Sequence, residues 1–203
     1  MILVDLASRV TPRVRVFTLD TGRLPEETYR MMEDVRQRYG IPVETVFPDP
    51  EEIESMVAQH GPNLFYQSPE ARHMCCDARK TRPLARKLRE LQAWATGLRR
   101  EQSATRARVR KFEEAEGLVK LSPLADWSAA QVEEYTRAHG LPVHPLYARG
   151  YASIGCAPCT RAIQPGEDER AGRWWWEQGH KECGIHFSED GSVRRVVLSE
   201  KNA

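Results

Sequence analysis

Two pairs of cysteines constrain this chain more than any other feature. Cys75 and Cys76 are adjacent, Cys156 and Cys159 form a C-x-x-C, and a long stretch of chain separates the pairs. A fold that uses all four must bring its last third back onto its middle. Four thiolates in two pairs form a donor set for structural zinc or for an iron–sulfur cluster. A lone C-x-x-C discriminates poorly, since redox, zinc and cluster sites all use it. The adjacent pair says more. Small tetrahedral zinc sites favour C-x2-4-C spacing, whereas a cubane cluster offers a separate iron to each neighbouring thiolate. The plain alternative for Cys75 and Cys76 is a buried pair of small hydrophobes.

The fifth cysteine, Cys183, lies in Glu182-Cys183-Gly184-Ile185-His186. His180, Lys181 and His186 surround it, and nearby cations raise the thiolate fraction of a thiol. Gly184 and the irregular context suggest an accessible segment, suited to chemistry in two steps with two partners. The plain alternative is a structural thiol.

The chain has 203 residues, 40% of them hydrophobic, enough for one domain with a sizeable core. Its net charge of +1 argues against a general polyanion binder. The charge is uneven, however. Lys80, Arg82, Arg86, Lys87, Arg89, Arg99, Arg100, Arg106, Arg108 and Arg110 crowd the middle of the chain. Such a block can face a small anion, nucleic acid or only water. No membrane-spanning run or secretory signal is visible. An odd cysteine count without export points to a reducing compartment, so the expected location is cytoplasmic.

The fold class expected is α/β. Arg13 to Leu19, Pro42 to Phe47, Ala93 to Leu98 and Val119 to Leu124 read as strands. Met1 to Ser8, Glu26 to Tyr39, Glu51 to His60, the Ala78 to Leu91 segment and Ala129 to His139 carry helical periodicity. A loop with Tyr66 and Pro69 is expected to lead to Cys75. The alternation implies a mainly parallel sheet with helices on both faces, with ligands beyond the strands' carboxyl ends. Asp20-Thr21-Gly22-Arg23 and Arg99-Arg100 then share one rim. Residues 1–140 read as this α/β part, the one to which the resemblance set out below assigns nucleotide binding. Residues 141–203, rich in proline, glycine and aromatics, form a loop-rich extension of the same structural unit.

Arg79, Lys80 and Arg82 follow the first cysteine pair, where positive charge can balance a negative cluster and hold an anion. Arg170 and Arg173 share a face if Glu167 to Trp176 is helical. Trp174, Trp175 and Trp176 are expected to pack and shield the site. Each arginine alone could equally be a surface ion pair.

Several motifs together resemble a known family. They are Cys75-Cys76-x-x-Arg79-Lys80, Cys156-x-x-Cys159-Thr160-Arg161, Arg173-Trp174-Trp175-Trp176 and Lys181-Glu182-Cys183-Gly184-Ile185-His186. With Phe17 to Arg23 and Gly97 to Ser103, they resemble the assimilatory adenylyl-sulfate reductases of bacteria, from about Ile2 to His186. The resemblance implies an adenine-nucleotide α-hydrolase-like fold and a [4Fe-4S] cluster on Cys75, Cys76, Cys156 and Cys159. It implies that Cys183 attacks the sulfur of adenylyl sulfate, AMP leaves, and thioredoxin or a glutaredoxin-like dithiol releases sulfite from the S-sulfocysteine. It further implies that Lys80 links cluster and substrate. Arg170, Arg173 and His186 would contact the substrate or tune the thiol. Leu19, Gly22, Arg99 and Arg100 would line the substrate rim. A homo-oligomer is compatible with this reading; a membrane or nucleic-acid partner is not expected.

Related phosphoadenylyl-sulfate reductases keep the E-C-G-x-H tail but usually lack the cysteine pairs, which favours adenylyl sulfate here. The alternatives are phosphoadenylyl-sulfate reduction, an inactive fragment, and a metal-stabilised nucleic-acid-binding module. The family pattern also places a strand and a Ser/Gly-rich phosphate loop before the helix that ends near Leu6. Without them, poorer nucleotide binding and a gap in the sheet are expected. Met74 stands where the family usually has glutamate, and Thr81 replaces an apolar residue.

Overall fold

A computed structural model describes residues 1–103, 106–115 and 117–177. Cys183 and His186 lie outside the described residues. Helix α1 (Ile2–Val10) leads into strand β1 (Val16–Leu19), helix α2 (Glu26–Tyr39), strand β2 (Val43–Val46) and helix α3 (Pro50–His60). α2 ends where Gly40 takes a left-handed φ of 64°, a conformation glycine adopts without steric cost. Asp49 caps α3 by accepting from the Glu52 amide.

The segment before the first cysteine pair departs from the expected loop. Ser68 accepts from the Ala71 amide and Pro69 occupies the first turn, so helix α4 (Pro69–Cys76) starts there and carries both cysteines. A π-turn at Asp77–Thr81 follows and runs directly into helix α5 (Arg82–Leu88). The wider turn re-aims Arg79 and Lys80 relative to an unbroken α-helix, as such insertions often do at functional sites.

Strand β3 (Ala93–Ala95) is only three residues long. The hairpin of β4 (Phe112–Ala115) and β5 (Leu118–Leu121) follows. β4 was not expected. Its pattern is inverted: Phe112 is exposed, while Glu113 points inward to meet Lys120 at 3.0 Å. Helix α6 (Ala129–Ala138) starts with a reciprocal capping box between Ser128 and Gln131.

The strands fall in two sheets, the break the sequence reading expects. β1 and β2 pair in parallel, with Val16 opposite Val43 and Leu19 opposite Val46. In the second sheet β5 lies between β3, parallel to it, and β4, antiparallel to it. A buried cluster of Met56, Leu64, Phe65, Cys75, Ala78, Cys159 and Trp174 joins α3, α4 and the C-terminal loops. Burial of Leu64 and Phe65, each 1% exposed, stabilises the fold by about 2–3 kcal/mol apiece. A second cluster places Ile2 of α1 against Leu124 and Leu141. There Asp5 accepts from Tyr39 of α2 at 3.1 Å and Tyr135 of α6 at 2.7 Å, which locks three helices together. Among the described residues no helix is long and apolar enough to cross a membrane.

Candidate functional site

The two cysteine pairs meet. Cys75, Cys76, Cys156 and Cys159 line one small cavity, together with Arg23, Phe65, Arg79, Lys80 and Pro158. All four thiols are free of disulfides. α4 delivers the first pair at its last turn, and a 3-10 turn at Ala157–Cys159 delivers the second. That turn is closed by the Cys159 amide donating to the Cys156 carbonyl at 3.0 Å and by Thr160 Oγ1 donating to the same oxygen at 2.9 Å.

Cys75 and Cys159 sit in an environment that resists ionisation. Burial is the main force pushing the Cys159 thiol up to about 12, with Cys156 and Cys75 adding to it and Arg173 and Lys80 opposing. Burial also raises Cys75, while the charge and hydrogen bond of Arg79 pull the other way. Among the described residues, no three His, Cys, Asp or Glu side chains close on a point as a site for a single metal ion would.

The turn after β1 is tied directly to this cavity. Asp20 is buried and accepts from the Gly22 amide at 2.8 Å and from Tyr29 Oη at 3.1 Å. Gly22 takes a φ of 70°, which a larger residue would adopt only with strain. Thr21 is fully buried. Its carbonyl accepts from Arg79 Nη1 at 2.7 Å, and its Oγ1 lies 3.2 Å from Cys156 Sγ. The Arg23 carbonyl accepts from the Ala157 amide at 2.8 Å, and the Arg23 guanidinium lies 5.0 Å from the Phe65 ring centre. The strand-end turn and the thiol cavity are therefore one hydrogen-bonded unit. Sequence reasoning put this turn on the rim but missed Thr21 as its contact with the thiols. A threonine in an Asp-Thr-Gly turn is ordinary turn chemistry and carries no such signal.

The other expected residues divide. Lys80 is half-buried at the cavity wall. Leu19 ends β1. Arg99 and Arg100 follow β3 and are engaged: Arg99 reaches Glu101 and the Trp127 carbonyl, Arg100 the Val109 carbonyl and Asp126. Much of the basic block is paired in the same way, Arg82 with Glu52 and Asp77, Lys87 with Glu44 and Glu90. Residues 167–176 are turns and bends rather than the helix on which Arg170 and Arg173 were to share a face. Arg170 is half-buried, whereas Arg173 is buried with its guanidinium over Trp174. Trp174 and Trp176 pack in the cluster that holds Cys75 and Cys159, whereas Trp175 is 39% exposed. Trp174 is 1% exposed, and Trp176 lies against Tyr66 and Trp175 with ring centres at 4.4 and 4.8 Å.

A family model described as the phosphoadenosine phosphosulfate reductase domain matches residues 1–162. The chain is 53% identical to the adenosine 5'-phosphosulfate reductase of Burkholderia cepacia over 178 residues, covering 86% of this chain and 71% of the relative. It is 50% identical to that of Allochromatium vinosum over 192 residues, covering 93% and 75%. Among solved structures, the phosphoadenylyl-sulfate (PAPS) reductase from Candida auris, a phosphate complex, matches with a TM-score of 0.64 at 26% identity. That match covers 77% of this chain and 75% of the other.

Proposed function

The chain belongs to the phosphoadenosine phosphosulfate reductase domain family, and from that premise we propose that it reduces adenylyl sulfate to sulfite and AMP in sulfate assimilation. The observation that carries the choice of substrate is the gathering of all four thiols in one cavity beside the turn that follows β1. Relatives near 50% identity are named adenosine 5'-phosphosulfate reductases, which points the same way.

Cys183 is the nucleophile in this proposal. Its thiolate attacks the sulfur of adenylyl sulfate, and the bond from that sulfur to the phosphate oxygen breaks. AMP departs with the electron pair, leaving an S-sulfocysteine. A thiolate of thioredoxin or a similar dithiol then attacks Cys183 Sγ, and sulfite leaves with the electron pair of its bond to that sulfur. The second thiol of the reductant resolves the mixed disulfide, which restores Cys183 and oxidises the dithiol to a disulfide. Lys80 and Arg170 meet the charge of the phosphosulfate, and His186 steadies the attacking thiolate. Leu19 and Gly22 line the adenosine rim, with Arg99 and Arg100 along its far side.

The four cavity thiols fit a [4Fe-4S] cluster, which Cys75, Cys76, Cys156 and Cys159 would hold. Phe65 and Pro158 supply apolar wall, and Arg23, Arg79 and Lys80 supply balancing positive charge. A bound cluster would supply negative charge at the cavity wall, where Lys80 would link it to the substrate; Cys183 and the dithiol of the reductant carry the electrons.

Turnover of purified, anaerobically prepared protein with thioredoxin tests the proposal. The expected result is a higher kcat/KM for adenylyl sulfate than for phosphoadenylyl sulfate. The reverse preference would assign the chain to phosphoadenylyl sulfate, the substrate for which the Candida auris reductase is named.

A further inference from the structure

Arg173 occupies a place that its expected role as an anion contact does not explain. It is 6% exposed. Its Nη1 donates to the Ile154 carbonyl at 3.1 Å. A Cβ placed on Gly155 would fall on its guanidinium, 2.5 Å from Cζ and 2.7 Å from Nη1. The guanidinium therefore fills the notch that glycine leaves, one residue before Cys156. Backbone contacts on the other side of the loop complete the grip. Thr160 and Arg173 form an antiparallel bridge, the Trp174 amide donates to the Cys159 carbonyl at 3.2 Å, and the Arg161 amide donates to the Gly172 carbonyl at 2.9 Å.

The same contacts reach the first cysteine pair. The Arg173 guanidinium lies over the Trp174 ring at 4.8 Å, and the Arg72 guanidinium lies over the same ring at 4.5 Å. Arg72 belongs to α4, the helix that ends in Cys75 and Cys76, and it is held by a buried ion pair with Glu177 at 2.6 Å. Trp174 keeps a φ of 43°, a conformation costly for a tryptophan and retained only where its surroundings fix it. Arg72, Trp174, Arg173 and Gly155 thus form a continuous connection from the α4 helix to the C-x-x-C loop.

We propose that Arg173 is a positioning residue: seated at Gly155 and against Trp174, it sets the separation of the two cysteine pairs and so their hold on an iron–sulfur cluster. The inference rests on the cluster reading above and gives Arg173 a task besides any contact with substrate. Its shape matters more than its charge, because lysine has neither the planar fork nor the width to fill the notch.

The test uses Gly155→Ala, Arg173→Ala, Arg173→Lys and the Gly155→Ala/Arg173→Ala double variant. Two readouts apply: the rate of iron release to a chelator from anaerobic holoprotein, and the rate of Cys159 alkylation by iodoacetamide in the metal-free chain. Each single variant, Arg173→Lys included, is expected to speed both by roughly tenfold or more, the range typical for residues that support metal ligands. The double variant is expected to be no worse than Arg173→Ala alone, because removing the guanidinium removes the three closest atoms that the new methyl would meet. The KM for adenylyl sulfate of cluster-loaded Gly155→Ala is expected to stay within about twofold of wild type. The inference is overturned if Gly155→Ala changes neither rate, if the effects of the two substitutions multiply, or if Arg173→Lys matches wild type in both rates. A wild-type chain that holds no iron would sink the cluster reading instead, and the alkylation rates would still decide the grip on the loop.

Discussion

At the scale of single residues, the site depends on where charge sits relative to the thiols. Lys80 is the cation that both lines the thiol cavity and acts on the buried Cys159 thiol. Lys80→Ala is expected to lower kcat/KM by roughly tenfold or more, about 1.5–3 kcal/mol for a lost charge-assisted contact, as steady-state kinetics would measure. The thiols also titrate in a definite direction. With Cys159 pushed up to about 12 and Cys75 raised, both stay protonated at neutral pH in the metal-free chain. Metal loading must displace those protons, so the apparent affinity for iron should climb with pH between 6 and 9, with proton release detectable in weakly buffered solution. A pH-independent affinity would count against this. The cysteines were legible in the sequence because thiol pairing is a local pattern. Thr21 and Gly155 were not, because the meaning of each lies in a partner more than a hundred residues or nearly twenty residues away.

At the scale of elements, two ion-pair groups fasten the strands. Glu44 of β2 accepts from Arg15 at 2.7 Å and from Lys87 of α5 at 2.8 Å, and these contacts hold its carboxyl down at about 2. The depressed value contributes stability that is fully present above the ordinary carboxyl pKa of 4.5 and is lost as pH falls toward about 2. Glu44 is partly exposed, so Glu44→Gln is expected to cost only about 1 kcal/mol at pH 7. The gap in melting temperature between wild type and variant should close on acidification. In the second sheet, Glu113 and Lys120 face each other with side chains 8% and 2% exposed. Glu113→Ala should destabilise by roughly 3–5 kcal/mol in urea unfolding, and Glu113→Leu with Lys120→Met should recover most of that loss. This pair also explains why β4 escaped the sequence. Hydrophobic alternation identifies a strand only when the apolar face turns inward, and here the glutamate does. α2 and α6 were legible because Gly40 and Ser128 mark their ends. α4 was not, because Ser68-Pro69 reads equally as a loop or a helix start.

At the scale of the whole molecule, the chain brings its last third back onto α4, and the two cysteine pairs become one wall beside the turn after β1. Cys156→Ser removes one of four ligands and is expected to lose iron and turnover together, read as iron per chain and as the rate of sulfite release. The parallel pairing of β1 with β2 and of β3 with β5 was legible from the alternation of strands and helices, whereas their division into two sheets rested on comparison with a family pattern. Attack of the Cys183 thiolate on sulfur is the central step. Mass spectrometry of protein mixed with adenylyl sulfate and no reductant measures this most directly. One added SO3 group on Cys183 is expected for each AMP released, with its loss as sulfite when thioredoxin is added. Sulfite production by the Cys183→Ser variant, or turnover without any adduct on Cys183, would contradict it.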